Sequence, residues 1–292
     1  MTEPRVLLSV TMLRPEEKAL LAAFRARGLR AEPALRPDLA AVLSDRQDPP
    51  DLALVRNLSH AEAASVARRL EHAGIPAVNS AAAIEICNDK GLQALLFARH
   101  GVPHPASRHA FSVEQVRELA TEAGGPVVVK PVSGSWGRGV TLLPDRDGVE
   151  AWIGGRESVD AAGRSFPVLV QEYVDKPGHD LRVVVVGRTP VVAIERASDD
   201  WRTNTHLGAR VRRVEVTPAV ERLCARAVDV LGDGFYGVDL IEDARTGELK
   251  VLEVNANPEF ARSAARHGVP VAELLADYLA DRAHRGPAPL AA

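Results

Sequence analysis

Two late runs of the sequence carry residues suited to holding a metal ion. The runs "YGVDLIED" (236–243) and "LKVLEVNANP" (249–258) flank the turn signal "DARTGE", whose centre predicts a hairpin pairing residues whose numbers sum to about 491 or 492. Asp239 and Glu253 then lie opposite or nearly opposite each other, and Asn255 points to the same face. Facing carboxylates repel unless a cation lies between them. Such hard oxygen ligands favour Mg²⁺, with substrate phosphates completing its coordination.

A second candidate site lies in the stretch "PVVVKPVSGSWGRGV" (126–140). Lys130 ends an apolar run and would be partly buried there, a position that a lysine avoids unless an anion compensates its charge. Gly134, Gly137 and Gly139 follow, and a glycine-rich loop can offer backbone N–H groups to phosphate oxygens. The spacing fits neither the Walker A loop nor the dinucleotide-binding glycine motif.

Each of these motifs also has a simpler explanation. The acidic pair could lie on the solvent-facing side of an antiparallel sheet and bind nothing, and a glycine-rich turn after a strand is more often only a hairpin. The run "QEYV" (171–174) places an acid beside an apolar strand, which suits the exocyclic or ribose groups of a nucleotide. Taken alone, it is more often an ordinary strand edge. Spacing does not decide between the two readings of any of these motifs.

Alternating strand and helix patterns predict a parallel α/β lobe that ends near residue 88. Apolar runs of strand length alternate with runs at helical spacing, and Ser59 is a candidate N-cap. The predicted elements are a strand over 5–10, a helix over 15–28, a strand over 51–57, a helix over 59–74 and a strand over 75–79.

From residue 180 onward the pattern changes to antiparallel strands. The runs "DLRVVVVG" (180–187) and "PVVAIERA" (190–197) are separated by "RT", which predicts a hairpin. The other predicted elements are helices over 88–101, 112–123, about 147–154, 218–232 and about 270–284, strands over 125–132 and 166–174, and a frayed tail over 285–292. The fold class is therefore α/β with additional α+β lobes.

The composition excludes several classes of protein. Of 292 residues, 46% are hydrophobic and 26% are charged, as in ordinary globular proteins. The net charge of −3 gives no general electrostatic reason to bind nucleic acid, and no apolar run approaches the roughly 18 residues that span a membrane. Cys87 and Cys224 are too few for a disulfide framework or a structural zinc site. We therefore expect a cytoplasmic protein that binds neither nucleic acid nor membrane.

The order of the motifs resembles that of the ATP-grasp ligases. "NDK" with Lys90, "VVVKP", the glycine-rich lid, "QEYV", "DLRVVVVG" and "EVNANP" follow one another as in that superfamily. The longer runs "DKGLQALLFARHGVPHP", "VKPVSGSWGRGV", "QEYVDKPGHDLRVVVVG" and "WRTNTHLGARV" are similar to the RimK-like amino-acid ligases. "GSWGR" and "NPEF" narrow the resemblance, which covers residues 4–282, to the LysX/ArgX type.

The resemblance implies an ATP-grasp fold and a carrier-dependent activity. Ligases of this type use ATP to activate the C-terminal glutamate of a small acidic amino-group carrier protein as an acyl phosphate, then couple it to free aminoadipate or glutamate. The implied parts are a pre-ATP-grasp α/β domain at 1–88, a central lid domain at 89–174, a C-terminal antiparallel-sheet domain with the metal site at 175–284 and a flexible tail at 285–292. A homodimer or homotetramer is implied as well.

Each matching residue also acquires an implied role. Lys90 and Lys130 would bind phosphate, Glu172 and Val174 the adenine, and Asp180 the ribose or the pocket. The full set implied to contact ATP is Lys90, Lys130, Ser135, Trp136, Gly137, Arg138, Gly139, Gln171, Glu172, Tyr173, Val174 and Asp180. Asp239, Glu253 and Asn255 would be the Mg²⁺ ligands, with Mn²⁺ as an alternative ion. Arg182 and Arg196 would act in catalysis at the transferred phosphoryl group. The residues implied to contact the substrate are Asn204, Thr205, Asn257, Glu259, Phe260, Arg262 and Ser263.

The chain departs from the family pattern at two places. The family's lysine after "EF" is Ala261, and Ala209 after Gly208 breaks a pair of glycines. The amino acid that is attached could therefore differ from aminoadipate and glutamate, for instance in a specialised biosynthetic pathway.

The sequence is also compatible with a different partner or a different chemistry. Arg210, Arg212 and Arg213 could attract an acidic carrier tail or form a solvated basic strand edge. The ligase could also act on a small-molecule carboxylate or on that of another protein. A third hypothesis is a nucleotide-binding protein without catalytic activity, against which the trio Asp239, Glu253 and Asn255 argues.

Overall fold

This computed structural model describes residues 3–44, 48–134, 137–159, 163, 165–203, 208–261 and 267–285. These described residues form three β-sheets. The strands are β1 (Arg5–Val10), β2 (Arg30–Ala34), β3 (Leu52–Arg56), β4 (Ala77–Val78), β5 (Ser107–Ala110), β6 (Val127–Pro131), β7 (Thr141–Leu143), β8 (Val168–Glu172), β9 (His179–Gly187), β10 (Thr189–Ala197), β11 (Arg210–Val214), β12 (Gly234–Glu242) and β13 (Leu249–Asn255). The helices are α1 (Pro15–Ala26), α2 (Arg36–Ser44), α3 (His60–His72), α4 (Ala81–Asn88), α5 (Lys90–Arg99), α6 (Val113–Ala123), α7 (Arg146–Val159), α8 (Pro218–Leu231) and α9 (Val271–Arg285).

The N-terminal sheet is parallel, as predicted, with the strand order β2-β1-β3-β4. β1 and β3 are buried along almost their whole length, which is typical of parallel strands covered by helices on both faces. Ser59 caps α3 by accepting a hydrogen bond from the backbone N–H of Glu62 at 3.4 Å. The strand order places the switch point between β1 and β3, so the carboxyl ends of these strands form a crevice.

The C-terminal sheet is antiparallel, with the order β11-β10-β9-β12-β13, and its two faces meet different partners. Val183 and Val185 pack in one core with α8, whereas Val184 and Val186 pack in another with α1 and α9. The N-terminal lobe therefore shares a core with this sheet. Because side chains alternate along a strand, Arg182 points to the same side as Val184, so one end of this face is core and the other is polar.

The middle sheet, in the order β5-β8-β6-β7, is also antiparallel and has its own small core. Val127 and Val129 of β6 pack there with apolar residues of α6 and α7. Val128 and Lys130 alternate with them and line the opposite side, where a cleft separates this sheet from the C-terminal sheet. The predicted strand around Lys130 is thus confirmed.

The predicted helices and strands with strong apolar patterns all form. The helices and strands that sequence reasoning missed are short, exposed or directly adjacent to another helix. β2 is mostly exposed and contains Pro33, while β11 reads "RVRRV". A strand at a sheet edge needs no continuous apolar run. α7 continues to residue 159 rather than ending near 154, despite Gly154 and Gly155.

The predicted division into domains at residues 88, 174 and 284 stays a prediction. α5, assigned to the central domain, contributes Phe97 to the core beneath the C-terminal sheet. Of the predicted tail, only Arg285 lies within the described residues, as the last residue of α9. No helix in the described ranges has the length and apolar character that a membrane crossing requires.

Candidate active site

The late hairpin forms as predicted and brings the three proposed metal ligands together. Asp239 of β12 pairs with Glu253 of β13, and Asn255 follows two residues later. The register shifts directly after this pair, which makes Leu252 the extra residue of a β-bulge. Bulges redirect side chains, and here Val251 remains in the core while Leu252 and Glu253 both line the cleft.

Asp239 is held by two arginines. Arg182, opposite it on β9, donates from Nε and Nη2 to its two carboxylate oxygens at 2.6 Å each. Arg196 Nη2 lies 3.3 Å from Asp239 Oδ2. Burial alone would raise the pKa of Asp239, but the two guanidinium charges outweigh it and hold that pKa below its usual range. Asp239 is therefore an anion at neutral pH, although it is only 3% exposed.

Arg196 connects Asp239 to a second buried acid. Its Nε and Nη2 donate to the two oxygens of Asp180 at 2.7 and 2.8 Å. Burial lowers the pKa of Arg196, but Asp239 and Asp180 more than compensate, so the net shift is upward. Thr203 donates to Asp180, and Lys176 Nζ donates to Thr203 Oγ1 at 2.7 Å. A continuous polar chain thus runs from the β12–β13 hairpin through Arg196 and Asp180 to Thr203 and Lys176.

Two lysines face this hairpin from across the cleft. Lys130 is 4% exposed, and its Nζ donates to Gln171 Oε1 at 3.0 Å. Burial lowers the pKa of Lys130 to about 8, with Glu253 opposing and Lys90 adding to the shift. Lys90 Nζ donates to Gly134 O at 2.6 Å and lies 3.5 Å from Glu253 Oε2. Burial raises the pKa of Glu253, but Lys90 and other cations outweigh this and leave the pKa lowered.

The cleft encloses about 940 Å³ including its open mouth, which is within the range of nucleotide-sized sites. One part is polar and is lined by Lys90, Lys130, Lys176, Asp180, Arg196, Asp239 and Glu253. The other part is lined by Tyr173 and Val174 after β8 together with apolar side chains. Lys250 Nζ donates to Glu172 Oε1 at 2.8 Å and so fixes the strand end beside them. The apolar part of the cleft suits a planar apolar group, and the polar part suits a polyanion.

The side chains that face each other on the hairpin suit a hard divalent cation. They are two carboxylates and the amide of Asn255, whose Nδ2 donates to Glu253 Oε1 at 3.2 Å. The described residues contain no group of three or more His, Cys, Asp or Glu arranged for a metal. Mg²⁺ in proteins is usually bound by only a few carboxylates together with phosphate oxygens. This donor set therefore fits that ion.

The glycine-rich loop after β6 has the backbone that its sequence predicts. Gly137 and Gly139 have φ angles of +68° and +71°, which favour glycine, and Arg138 lines the cleft between them. Ser135 and Trp136 lie outside the described residues. Their ATP contacts stay predictions.

The predicted substrate residues are placed less uniformly. Asn204, Thr205, Arg262 and Ser263 lie outside the described residues. Glu259 is exposed, and Asn257 Nδ2 donates to Asn57 O at 3.1 Å. Phe260 requires a correction: it is 1% exposed and packs edge-on against Phe235 at 5.6 Å, so it belongs to the core shared with the N-terminal lobe and does not line the cleft.

Sequence reasoning missed several residues that line the cleft, among them Lys176, Trp201 and Thr203. Lys176 could have been found, because it follows the "QEYV" motif closely in a chain with few lysines. Trp201 and Thr203 lie in the run "WRTNTHLGARV", but its spacing does not place them at the cleft, since their placement depends on the turn that follows β10.

Comparisons with known proteins agree with this geometry. A RimK-like ATP-grasp domain model matches residues 87–279, and a LysX preATP-grasp domain model matches residues 6–86. The chain is 32% identical to the alpha-aminoadipate–LysW ligase LysX of Sulfurisphaera tokodaii over 90% of this chain and 94% of that one. It is 29% identical to the glutamate–LysW ligase ArgX of the same organism over 94% and 98%.

Among solved structures, a RimK domain ATP-grasp protein from Sphaerobacter thermophilus has a TM-score of 0.75 and 29% identity, covering 94% of this chain and 98% of that one. The ATP-grasp ligase PsnB complexed with a minimal precursor has a TM-score of 0.73 at 23% identity, covering 96% and 100%, a likeness that concerns the fold alone.

Proposed function

The chain belongs to the RimK-like ATP-grasp family of carbon–nitrogen ligases, and we propose that it couples an amino acid to the C-terminal glutamate of a small acidic amino-group carrier protein. The observation that carries this proposal is the likeness to two LysW ligases along nearly the whole chain, including the N-terminal lobe. The cleft supports it, because cationic side chains and the carboxylate hairpin meet at its polar part.

In the first step a carrier carboxylate oxygen attacks the γ-phosphorus of ATP, the bond to the β-phosphate oxygen breaks, and ADP leaves. Lys90 and Lys130 bind the phosphate oxygens from one side of the cleft, while Arg182 and Arg196 face the transferred group from the other. These fixed cations stabilise charge that develops on the phosphoryl oxygens. A Mg²⁺ ion held by Asp239, Glu253 and Asn255 would supply further charge neutralisation.

In the second step the amino group of the incoming amino acid attacks the carbonyl carbon of the acyl phosphate. The carbon–nitrogen bond forms, the carbon–oxygen bond to phosphate breaks, and the amine releases its proton. Both nucleophiles come from the substrates, so the protein has to orient them and exclude water. Asn257 and Glu259, in the segment that follows β13, are the described residues proposed to contact the amino acid.

The proposal is tested by incubating the protein with ATP, Mg²⁺, the purified carrier and single amino acids, then measuring ADP, phosphate and the intact mass of the carrier. The expected result is one ADP per carrier and a mass gain of one amino-acid residue. The matched control is the same carrier with its terminal glutamate removed, which should give neither product.

The same assay separates this function from its two competitors. A product that forms equally well without any carrier would show a ligase for a free carboxylate. Absence of ADP release with every amino acid and every carboxylate supplied would favour a nucleotide-binding protein without catalytic activity. Aminoadipate and glutamate are the first amino acids to test, but Ala261 and Ala209 depart from the family pattern and call for a wider panel.

The arginines of β11 give limited support to carrier docking. Arg212 donates to Glu195 at 2.6 Å from Nε, Arg210 pairs with Asp199 at 3.2 Å, and Arg213 donates to His267 O at 2.9 Å. Much of their charge is thus compensated within the protein. A role in binding the acidic carrier remains part of the proposal, as does a homodimer or homotetramer.

Lys130 should make nucleotide binding dependent on pH. With a pKa of about 8 in the free cleft, Lys130 is half protonated at pH 8, and a polyphosphate beside it will raise that pKa. Binding of ATP or ADP at pH 8 should therefore take up about half a proton. Calorimetry in two buffers of different ionisation enthalpy measures this uptake.

The control for this prediction is Lys130→Arg, which keeps a charge that does not titrate in this range and should lose the uptake. An unchanged uptake in that variant would contradict the assignment. In the free protein the pKa of Lys130 lies below its unfolded value, so the unfolded chain binds more protons from about pH 8 to about pH 10.4. Lys130 therefore opposes folding below pH 8, and this cost disappears as the pH rises through that window.

A further inference from the structure

The segment that follows β13, residues 256–261, is hydrogen-bonded to the N-terminal lobe at several positions along its length. We call these hydrogen bonds tethers. Their partners in the N-terminal lobe lie at the carboxyl ends of β3 and β4 or at the start of α1. The four hydrogen bonds are Asn79 Nδ2 to Ala256 O at 2.8 Å, Asn257 Nδ2 to Asn57 O at 3.1 Å, Arg56 Nη1 to Pro258 O at 3.0 Å, and Ala261 N to Glu16 Oε1 at 3.3 Å. A segment directly after Asn255 thus takes its position from a different lobe.

Arg56 is the central tether and has an unusual environment. It ends β3 in the crevice between β1 and β3, and its side chain is fully buried. Its Nε donates to Glu17 Oε1 at 3.2 Å, and its guanidinium carbon lies 5.6 Å from the Phe235 ring centre and 5.8 Å from that of Phe260. One cation therefore binds an acid of α1, a carbonyl of the segment and two aromatic rings.

This arrangement is costly to build, because a buried guanidinium must lose its water. Burial lowers the pKa of Arg56 to about 10, so it is still charged at neutral pH. Glu17 is also fully buried and binds both Arg56 and Arg14, whose Nη2 donates to it at 2.7 Å. An apolar residue would pack this space at lower cost, so the charge points to a task beyond filling the core.

We propose that Arg56 is a positioning residue that holds segment 256–261, and through it Asn255, in the geometry that the metal and the substrate require. The carbonyl of Pro258 lies three residues from Asn255, and a short segment fixed at both ends leaves the Asn255 side chain little freedom. The N-terminal lobe thereby sets the metal site although none of its residues belongs to the metal-binding hairpin. The metal part of this inference rests on the proposed role of Asn255.

The test compares Arg56→Met with Leu20→Ala, a buried α1 variant that weakens the same core but leaves the four hydrogen bonds to the segment in place. Two quantities are measured on the full chain: hydrogen exchange of the peptide carrying residues 256–261, and binding of Mn²⁺ in the presence of ADP. In Arg56→Met the exchange should be at least about tenfold faster and Mn²⁺ binding about tenfold weaker, as when groups that orient metal ligands are removed. Leu20→Ala should change neither, while Arg56→Lys should give intermediate values.

The proposal is overturned if Arg56→Met and Leu20→Ala lose stability and show the same exchange and the same Mn²⁺ affinity. If Arg56→Met does not fold, Arg56→Lys replaces it, since a lysine cannot reproduce the paired donors to Glu17 and Pro258 O and should show the same two changes to a smaller extent. If the wild-type protein binds no Mn²⁺, the metal assignment fails by itself. The exchange measurement then still decides whether Arg56 holds the segment.

Discussion

Replacing Glu253 with glutamine is expected to reduce turnover by roughly 10³-fold while leaving the fold intact. Glutamine keeps the size of the side chain but removes the charge that the proposed cation and the Lys90 ammonium both meet. Glu253 is repelled by Asp239 across the hairpin and attracted by Lys90, so the two losses should partly cancel and the free energy of unfolding should change little. ADP release and thermal unfolding measure the two effects separately.

The matched control is Glu248→Gln, an exposed acid in the turn of the same hairpin. It should have wild-type turnover. Near-normal activity of Glu253→Gln would remove the metal assignment, and a large loss of stability would show that this carboxylate has a structural role instead.

Arg196→Met should be the more damaging change, because it affects both stability and turnover. The substitution removes both hydrogen bonds that Arg196 donates to Asp180, and it leaves Asp239 paired with Arg182 alone. Both acids are only 3% exposed. Breaking a buried ion pair by removing one member costs about 3–5 kcal/mol, since the other charge stays uncompensated. Denaturant unfolding should show this loss, and ADP release should fall by roughly 10²-fold or more.

Two variants separate the causes of that loss. Asp180→Asn in the Arg196→Met background removes the carboxylate charge that Arg196 no longer pairs. It should therefore restore part of the stability but not the activity. Arg188→Met, in the turn between β9 and β10, breaks pairs that are about half exposed and should be close to neutral. If Arg188→Met were as unstable as Arg196→Met, the buried pair would not be the cause.

The sequence was sufficient for local features of the site. A turn signal between two apolar runs is enough to predict which residues of a hairpin face each other, and Asp239 and Glu253 do so. Lys130 was found because a lysine at the end of an apolar run demands an explanation. The bulge at Leu252 was not visible, since it depends on how β13 fits both β12 and the core beneath.

Contacts between distant parts of the chain could not be derived in this way. Phe260 lies in a motif that suggests substrate contact, yet it packs against Phe235 and Arg56 across the boundary between lobes. No spacing rule pairs Arg56 with Pro258, which lies about two hundred residues away. β2 and β11 were missed because edge strands bury too little to leave a clear apolar pattern.

The placement of the lysines has a practical consequence. Of the five lysines in the chain, Lys90, Lys130 and Lys176 line the cleft and Lys250 binds Glu172 at its edge, which leaves Lys18 on the exposed side of α1. Amine-reactive side chains on the described surface are therefore few apart from Lys18. Immobilising the protein through amines would tether it at a few defined points, and protection of the other four amines would report how fully the cleft is occupied.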